Sequence, residues 1–548
     1  MANTALRTFT RRWWAPLLVF LLLAQMAAVM VTTAVEQTPT IDEPVYVGTA
    51  ADYLHAHEVR FNPEHPPLGK LIVAAGVALA DPHVDPDFAG DQGALGRHLL
   101  YESGNDPWDL MLWARLPVIA LTLLFGLVVF FFARDVAGRA GAFVALALYA
   151  FSPDVIAHGS LATLDVPAAG FLLTSAWLLW RADRRPRLYL PLAALALGAA
   201  LATKMSTLTA VPVFAGLAVV ALWRTSRRTA LVGAAGVTAG AFAVVWVSYL
   251  VVDPRLRWSP APGEIPVVRG MRGLVVRLLP VPPSYRDGMR VQFRFENQHW
   301  EGFLFGHLYS GARWYYLPAA LLVKTPLGML ALWAAGAAAM LAVPRLRRAA
   351  VFVLLPAGVL LASAMTGSRD LGTRYAVFLP MFLAVAAGCV PLWAAGRPRV
   401  LRGCSRSSPR PWPALSAAWV PWALVMFVAV SSLRTFPYYL PYSNEAFGGP
   451  ARTHLRLHDS NVDWGQDLGR LAERYGDEPM WLVYKGAGVP SYYGVRGRDP
   501  LAVPEARVRG LLVVSDSAAA KARGRLAELL RTSRAVADVG HSITVYRR

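Results

Sequence analysis

The sequence predicts an all-α polytopic membrane protein of about eleven spans, followed by a small C-terminal extracytoplasmic α/β domain. Three observations predict it. The 548 residues are 55% hydrophobic and 16% charged, against about 25% charge in an ordinary soluble domain. The apolar residues gather in runs of the length a bilayer requires, about 20 residues. From about residue 434 the composition turns to that of a soluble domain. Disorder is excluded for the bulk of the chain, because it needs low hydrophobicity.

The runs lie at about 13–34, 111–133, 139–157, 164–181, 188–203, 207–223, 229–252, 316–343, 349–366, 374–395 and 413–432. Charge or turn residues bound each of them. The first has an apolar core longer than the 7–15 residues of a cleaved signal peptide, so it reads as a span.

The loops alternate in charge. One set holds Arg7, Arg11 and Arg12, then Arg134 and Arg139, the clusters at 181–187, 224–228 and 345–348, and five arginines between 397 and 410. Only Asp135 and Asp183 oppose them. The positive-inside rule makes this face cytoplasmic. The N-terminus is then cytoplasmic, and eleven spans put the C-terminal domain outside the plasma (inner) membrane. A net charge of +19 would suggest nucleic acid in a soluble chain. Here it reads as orientation, and no nucleic-acid partner is expected. Cys389, in an apolar run, and Cys404, in an arginine-rich loop, offer neither a disulfide framework nor a zinc site.

The domains divide at 1–433, the membrane part, and 434–548, the soluble part. The membrane part has two large outer loops. The loop at about 35–110 carries thirteen acids against Arg60, Lys70 and Arg97. Within it 68–80 is apolar but too short to span, and reads as a helix lying in the interface. The loop at about 253–315 is rich in arginine. In the soluble part, 467–475 and 518–530 read as helices, and 480–484, 511–514 and 542–546 as strands.

Chemistry is expected where charge meets the membrane rim. Asp42-Glu43 stands just beyond the first run. Paired carboxylates there are costly to desolvate, which can raise one pKa to that of a general base; a solvated loop acid is the plain alternative. Asp165 opens the run at 164–181, where the helix dipole favours an acid and a neighbouring cation would pair with it. Lys204, Arg369, Arg374 and Arg115 stand at ends of runs. Charges at such depth are usually functional, and arginine binds phosphate bidentately; interfacial snorkelling is the other reading. Lys70 stands at the lipid surface, within reach of a phosphate. Glu296, His299 and Glu301 fit a sugar, a metal or a wet surface loop. His55, His57 and His65 could hold a divalent ion, though no spacing demands it.

The run Asn62-Pro63-Glu64-His65-Pro66-Pro67-Leu68-Gly69-Lys70, after an Asp-Glu pair that follows the first span, resembles the protein O-mannosyltransferase superfamily (glycosyltransferase family 39-like). Further positions fall in order: Trp113-Ala114-Arg115-Leu116, Ala157-His158 through Thr163-Leu164-Asp165, Ala202-Thr203-Lys204-Met205-Ser206, Trp314-Tyr315-Tyr316, Lys324-Thr325-Pro326, and Arg374-Tyr375. The resemblance covers roughly residues 10–450. It differs from the eukaryotic pattern in lacking room for a β-trefoil and in carrying Ser460-Asn461-Val462-Asp463-Trp464-Gly465-Gln466, which looks like a feature of bacterial relatives.

The resemblance implies the GT-C fold and a glycosyltransferase, a hexosyl- or pentosyltransferase, using a polyprenyl-phosphate sugar. It implies catalytic residues among Asp42, Glu43 and Asp165, with Asp42 as the base. Lys204, Arg374, Arg115, Arg369 and Lys70 would bind the donor phosphate, and His65, His158 and Glu296 the substrate. The acceptor would be protein, lipid or glycan. No cofactor is required, and a divalent metal stays open. No phosphate-binding glycine loop or nucleophile elbow is present to suggest other chemistry. Two rivals remain. A lipid or sugar transporter or flippase would place charge near mid-span and show repeated halves, and the runs are nearly free of charge there. A non-catalytic membrane assembly protein would work through its C-terminal domain.

Overall fold

A computed structural model describes residues 2–258, 260, 264–395 and 419–548, with side chains from residue 13. The arginines at 397–410, Cys404 and the start of the run at 413–432 lie outside the described residues.

The first helix, α1 (Ala2–Glu36), is apolar from Trp13 onward. The acidic loop then folds into α2 (Glu43–His55), α3 (Pro67–Ala80) and α4 (Gln92–Tyr101). Prolines at the first turns of α2 and α3 suit positions whose N–H has no helical partner. Asp91 caps α4 by accepting from the Ala94 N–H at 2.8 Å. α5 (Pro107–Ala150) is two helices meeting at Gly138, whose φ of 75° favours glycine. There follow α6 (Pro153–Gly159), α7 (Asp165–Arg181), α8 (Pro186–Thr203), α9 (Ala210–Leu222) and α10 (Arg227–Val252). α3 packs one face onto α5, burying Val73, Ala74 and Val77. At Gly76 a β-carbon would lie 1.9 Å from the Trp113 carbonyl, so glycine permits this approach.

The residues at 253–315 are more ordered than a loop. They form α11 (Gly270–Leu278), α12 (Pro283–Glu296) and a hairpin of β1 (Glu301–Leu304) with β2 (His307–Ser310). Its two-residue turn, Phe305-Gly306, has φ of 49° and 84°, the pattern of a type I′ turn.

The run at 316–343 is not one straight helix. It breaks into α13 (Tyr316–Lys324) and α14 (Leu327–Ala342), bent by 119°. Pro326 has no N–H to give, and it holds Thr325 extended. The freed carbonyls are taken up by Asn444, whose side chain donates to Leu322 O and Thr325 O and whose N–H donates to Val323 O. α15 (Arg347–Ala364), α16 (Phe378–Ala387), α17 (Val390–Ala395) and α18 (Val420–Leu433) complete the bundle. Among the described residues six helices are long and apolar enough to cross a bilayer, or seven with the bent pair as one span. The eleven runs exceed that count because α5 takes in two of them and because α7, α16 and α18 are shorter than 18 residues.

The soluble part holds α19 (Leu468–Tyr475), β3 (Met480–Val483), β4 (Gly497–Arg498), β5 (Leu511–Ser515), α20 (Asp516–Ala520), α21 (Gly524–Arg531), β6 (Arg534–Val539) and β7 (Ile543–Arg547). The sheet order is β4-β3-β5-β7-β6, with β3 parallel to β4 and β5, and β7 antiparallel to β5 and β6. The single helix expected at 518–530 is two, parted at 521–523 where Gly524 takes a positive φ. β4 and β6 escape sequence reading because one is two residues long and the other is largely exposed.

Candidate active site

Asp42 and Glu43 open α2 and point about 100° apart, as successive helical residues do. Glu43 faces inward and is fully buried. Its carboxylate accepts from Arg115 Nε at 2.8 Å and Nη2 at 2.7 Å, from the Thr40 N–H and hydroxyl, and from the Ala162 N–H. Burial pushes its pKa up, but Arg115 and the hydrogen bonds outweigh burial and hold it below its usual value. Arg115 spends its remaining N–H groups on the carbonyls of Ala34, Gln37 and Thr38. It is 1% exposed. The structure thus sets Glu43 and Arg115 as a buried pillar beneath the loop, with no donor on Arg115 left for a phosphate.

Asp42 faces the other way and is 28% exposed at its side chain. Its Oδ2 accepts from Arg374 Nη1 at 2.6 Å. The guanidinium of Arg374 lies 4.4 Å from the Trp464 ring centroid and 5.1 Å from that of Tyr375. Asp165, the first residue of α7, pairs with Lys204, which follows the last turn of α8. Lys204 Nζ lies 5.3 Å from the Tyr375 ring, and Arg374 feels the charge of both Asp42 and Asp165. Two cations therefore flank the Tyr375 ring, each paired with a carboxylate. His158 meets the Trp464 ring edge-on at 6.2 Å. Burial depresses its pKa to about 3, so the ring is neutral.

A third cation borders this group. Arg369 donates to Gln292 Oε1 at 2.9 Å and Glu296 Oε1 at 3.0 Å. Glu296 also accepts from the Ser368 N–H at 2.7 Å, so it holds the Arg369 loop. His65 is packed against Tyr46. Its pKa is well below normal, from burial first and then from Lys204, Lys70 and Arg369. Lys70 is fully buried and donates to Asn62 O at 2.8 Å and His65 O at 2.7 Å. It fastens the 62–65 turn and is not at the lipid surface. Arg374 Nε, Arg369 Nε, His65 Nδ1 and His158 Nδ1 are buried with no hydrogen-bond partner among the described residues. Also among the described residues, no group of three or more His, Cys, Asp and Glu could hold a metal ion.

The segment Ser460 to Gln466 proves to be part of the site. Trp464 O and Gln466 O accept from the N–H groups of Ile41 and Thr38 at 3.0 Å, just before Asp42. Asn461 Oδ1 accepts from the Thr373 N–H at 3.0 Å, and Ser460 Oγ donates to Leu371 O at 2.9 Å, just before Arg374. One strap therefore sets both partners of the Asp42/Arg374 pair. Its density of Ser, Asn, Asp, Trp and Gln is the signal in the sequence, but no spacing ties it to residues 40 or 374. Tyr46 gave no signal beyond that of an ordinary aromatic residue, and Tyr375 was marked only as the neighbour of Arg374 in the resemblance.

Residues 17–252 match the family model described as dolichyl-phosphate-mannose-protein mannosyltransferase. A search of curated proteins gave no match. Among solved structures, ArnT from Cupriavidus metallidurans in the apo state is 16% identical over 96% of this chain and 97% of that one, at a TM-score of 0.49. The same protein bound to undecaprenyl phosphate is 16% identical over the same shares, at 0.46. The Saccharomyces cerevisiae Pmt1-Pmt2 complex bound to the sugar donor is 20% identical over 43% of this chain and 33% of that one, at 0.33. The family match takes in the Asp-Glu pair, the His-Pro-Pro-Leu-Gly-Lys run, Asp165 and Lys204, while Trp314-Tyr315-Tyr316, Lys324-Thr325-Pro326 and Arg374-Tyr375 lie beyond it.

Proposed function

We propose that this protein is a GT-C membrane glycosyltransferase that moves a sugar from a polyprenyl-phosphate carrier to an acceptor hydroxyl on the outer face of the plasma membrane. One observation carries the reading: partly exposed Asp42 is hydrogen-bonded to Arg374, with Asp165 and Lys204 paired alongside at the same end of the bundle. A donor phosphate needs cations at the membrane rim, and an acceptor hydroxyl needs a base there.

In the reaction Asp42 takes the proton of the acceptor O–H. The oxygen attacks the anomeric carbon as the bond from that carbon to the phosphate oxygen breaks, with inversion. The lipid phosphate leaves with the bonding pair, and Arg374, Lys204 and Arg369 meet its charge. Asp165 holds Lys204 in place. His65 and His158, neutral and each with a free ring nitrogen, suit sugar hydroxyls. Arg115, Lys70 and Glu43 have a supporting part, and Glu296 acts through Arg369. A cleft of about 290 Å³ lies between Ile41, Pro44 and Val45 of the acidic loop and residues 486–490 of the C-terminal part, next to Asp42 in the chain but not lined by it.

The test is incubation of the purified protein with a panel of polyprenyl-phosphate hexoses and pentoses, following release of the lipid phosphate, with and without a chelator. Release with at least one donor, abolished by Asp42→Asn, is expected. Movement of intact donor across a vesicle membrane without release would make the protein a flippase and overturn the reading.

A further inference from the structure

Between Glu264 and Asp287 the sequence has four arginines, Arg269, Arg272, Arg277 and Arg286, and no acid. These residues build α11 and its approaches. Val267, Met271, Leu274, Val275 and Leu278 recur at i, i+4, i+7, i+8 and i+11, one stripe of a helix. Such a stripe usually faces a core. In α11 only Val276 is buried, while Met271 and Leu278 are 74% and 73% exposed, and Val267, three residues ahead of the helix, is 84% exposed.

The position of α11 is fixed by its far end. Trp246 Nε1 donates to Pro280 O at 2.9 Å. Trp246 stands six residues before Val252, where α10 ends, which at 1.5 Å per residue is about 9 Å inside the span. Just beyond, the Tyr285 hydroxyl reaches Leu201 O at 3.4 Å, close to the end of α8. Thus α11 lies level with the ends of two apolar helices, at the end of the bundle that holds Asp42 and Lys204. The α10 surface there is apolar too, with Val247, Leu250 and Val251 exposed.

We propose that α11 docks on anionic phospholipid headgroups, its stripe among the upper acyl chains and Arg269 and Arg277 against the phosphates. Neither arginine has a hydrogen-bond or ion-pair partner among the described residues, whereas Arg272 is held by Asn297 at 3.1 Å and by the Phe293 ring. Unspent positive charge beside an exposed apolar stripe is the pattern of a helix lying in an anionic interface. Continuity with the apolar face of α10 selects the bilayer over an acidic protein. The proposal concerns bulk lipid and stands apart from the reaction proposed above.

The test uses the full chain with Cys404→Ser and Met271→Cys, carrying a nitroxide label. It is reconstituted in nanodiscs of phosphatidylcholine alone or mixed with phosphatidylglycerol. The label should collide with lipid-soluble oxygen in preference to a water-soluble nickel complex, and more so with phosphatidylglycerol. Arg269→Gln and Arg277→Gln should each lower the inserted-to-free ratio in the anionic discs about fivefold and leave the neutral discs unchanged. Equal access to nickel and oxygen in both discs would overturn the proposal. So would shielding from both reagents, the sign of a protein contact. Leu278→Cys gives the same reading where Met271→Cys does not fold.

Discussion

A substitution at Asp42 removes a carboxylate whose side-chain partner among the described residues is Arg374, whereas one at Glu43 removes the acceptor of five hydrogen bonds. Asp42→Asn should therefore lower turnover by about 10²–10⁴-fold, the worth of a general base, with donor binding and thermal midpoint retained. Glu43→Gln should instead cost stability, about 3–5 kcal/mol, because it leaves Arg115 charged and buried without its counter-ion. Turnover and melting measured on both variants separate the two roles. Normal turnover in Asp42→Asn with a dead Asp165→Asn would move the base to Asp165. The cations divide in the same way. Arg374→Ala and Lys204→Ala should each weaken donor binding by about 1.5–3 kcal/mol, the range for a charged hydrogen bond. Lys70→Met should leave donor affinity intact in whatever protein folds, since Lys70 spends its charge on the carbonyls of Asn62 and His65. Equilibrium binding of a labelled polyprenyl phosphate decides between them.

At the scale of elements, the strap from Ser460 to Gln466 joins the soluble part to the site. Trp464→Phe keeps an aromatic face under Arg374, and Trp464→Leu removes it. The leucine variant should bind donor more weakly by about 0.5–2 kcal/mol, the worth of a cation–π contact, with the phenylalanine variant near the parent. Equal donor affinity in the two would reduce Trp464 to a packing residue. The same region carries a pH dependence. Asp463 and Asp516 are buried, and burial raises each pKa to about 7. A raised carboxyl pKa means that the folded state binds the proton more tightly than the unfolded state. The stability this brings is present below the unfolded pKa of 3.8 and is lost as pH rises through about 7. His458 and His454, both lowered by burial, act oppositely, but below their ordinary value of 6.5. Between pH 6.5 and 8 the two carboxyls lower the thermal midpoint as pH rises, while Lys70, brought down to about 7 by burial, raises it, so the carboxyl share is read by difference. Relative to the parent, Asp516→Asn should make the midpoint rise more, or fall less, with pH over this window; the same slope in both would assign it to other groups.

For the whole molecule the charge bias of the loops predicts the orientation. Twenty arginines against two aspartates border one face of the apolar runs. Reporter fusions at Arg185 should read cytoplasmic, and one at Gly486, in the loop over Ile41 and Pro44, should read external. A cytoplasmic signal at Gly486 would put the site on the nucleotide-rich side and remove the case for a polyprenyl donor. The acidic loop, the 365–377 loop and the strap at 460–466 all meet at one end of the bundle, so the fusion at Gly486 reports on Asp42 and Arg374 as well.

The sequence by itself determined the membrane class, the soluble sheet and the family resemblance. Those rest on hydropathy, alternation and short motifs, which are local. It also marked Asp42, Asp165, Lys204 and Arg374, because charge at the end of an apolar run is conspicuous. What it left open is which charge faces which. Asp42 and Glu43 are adjacent in the chain, and only the turn of α2 sends one to Arg374 and the other to Arg115. Lys70 reads as a phosphate ligand until the 62–65 turn closes over it. Trp464 stands more than 400 residues from the aspartate whose partner it supports. Local pattern fixes what most segments become. Pairing between distant segments depends on the geometry of the closed bundle, and only the tertiary structure decides it.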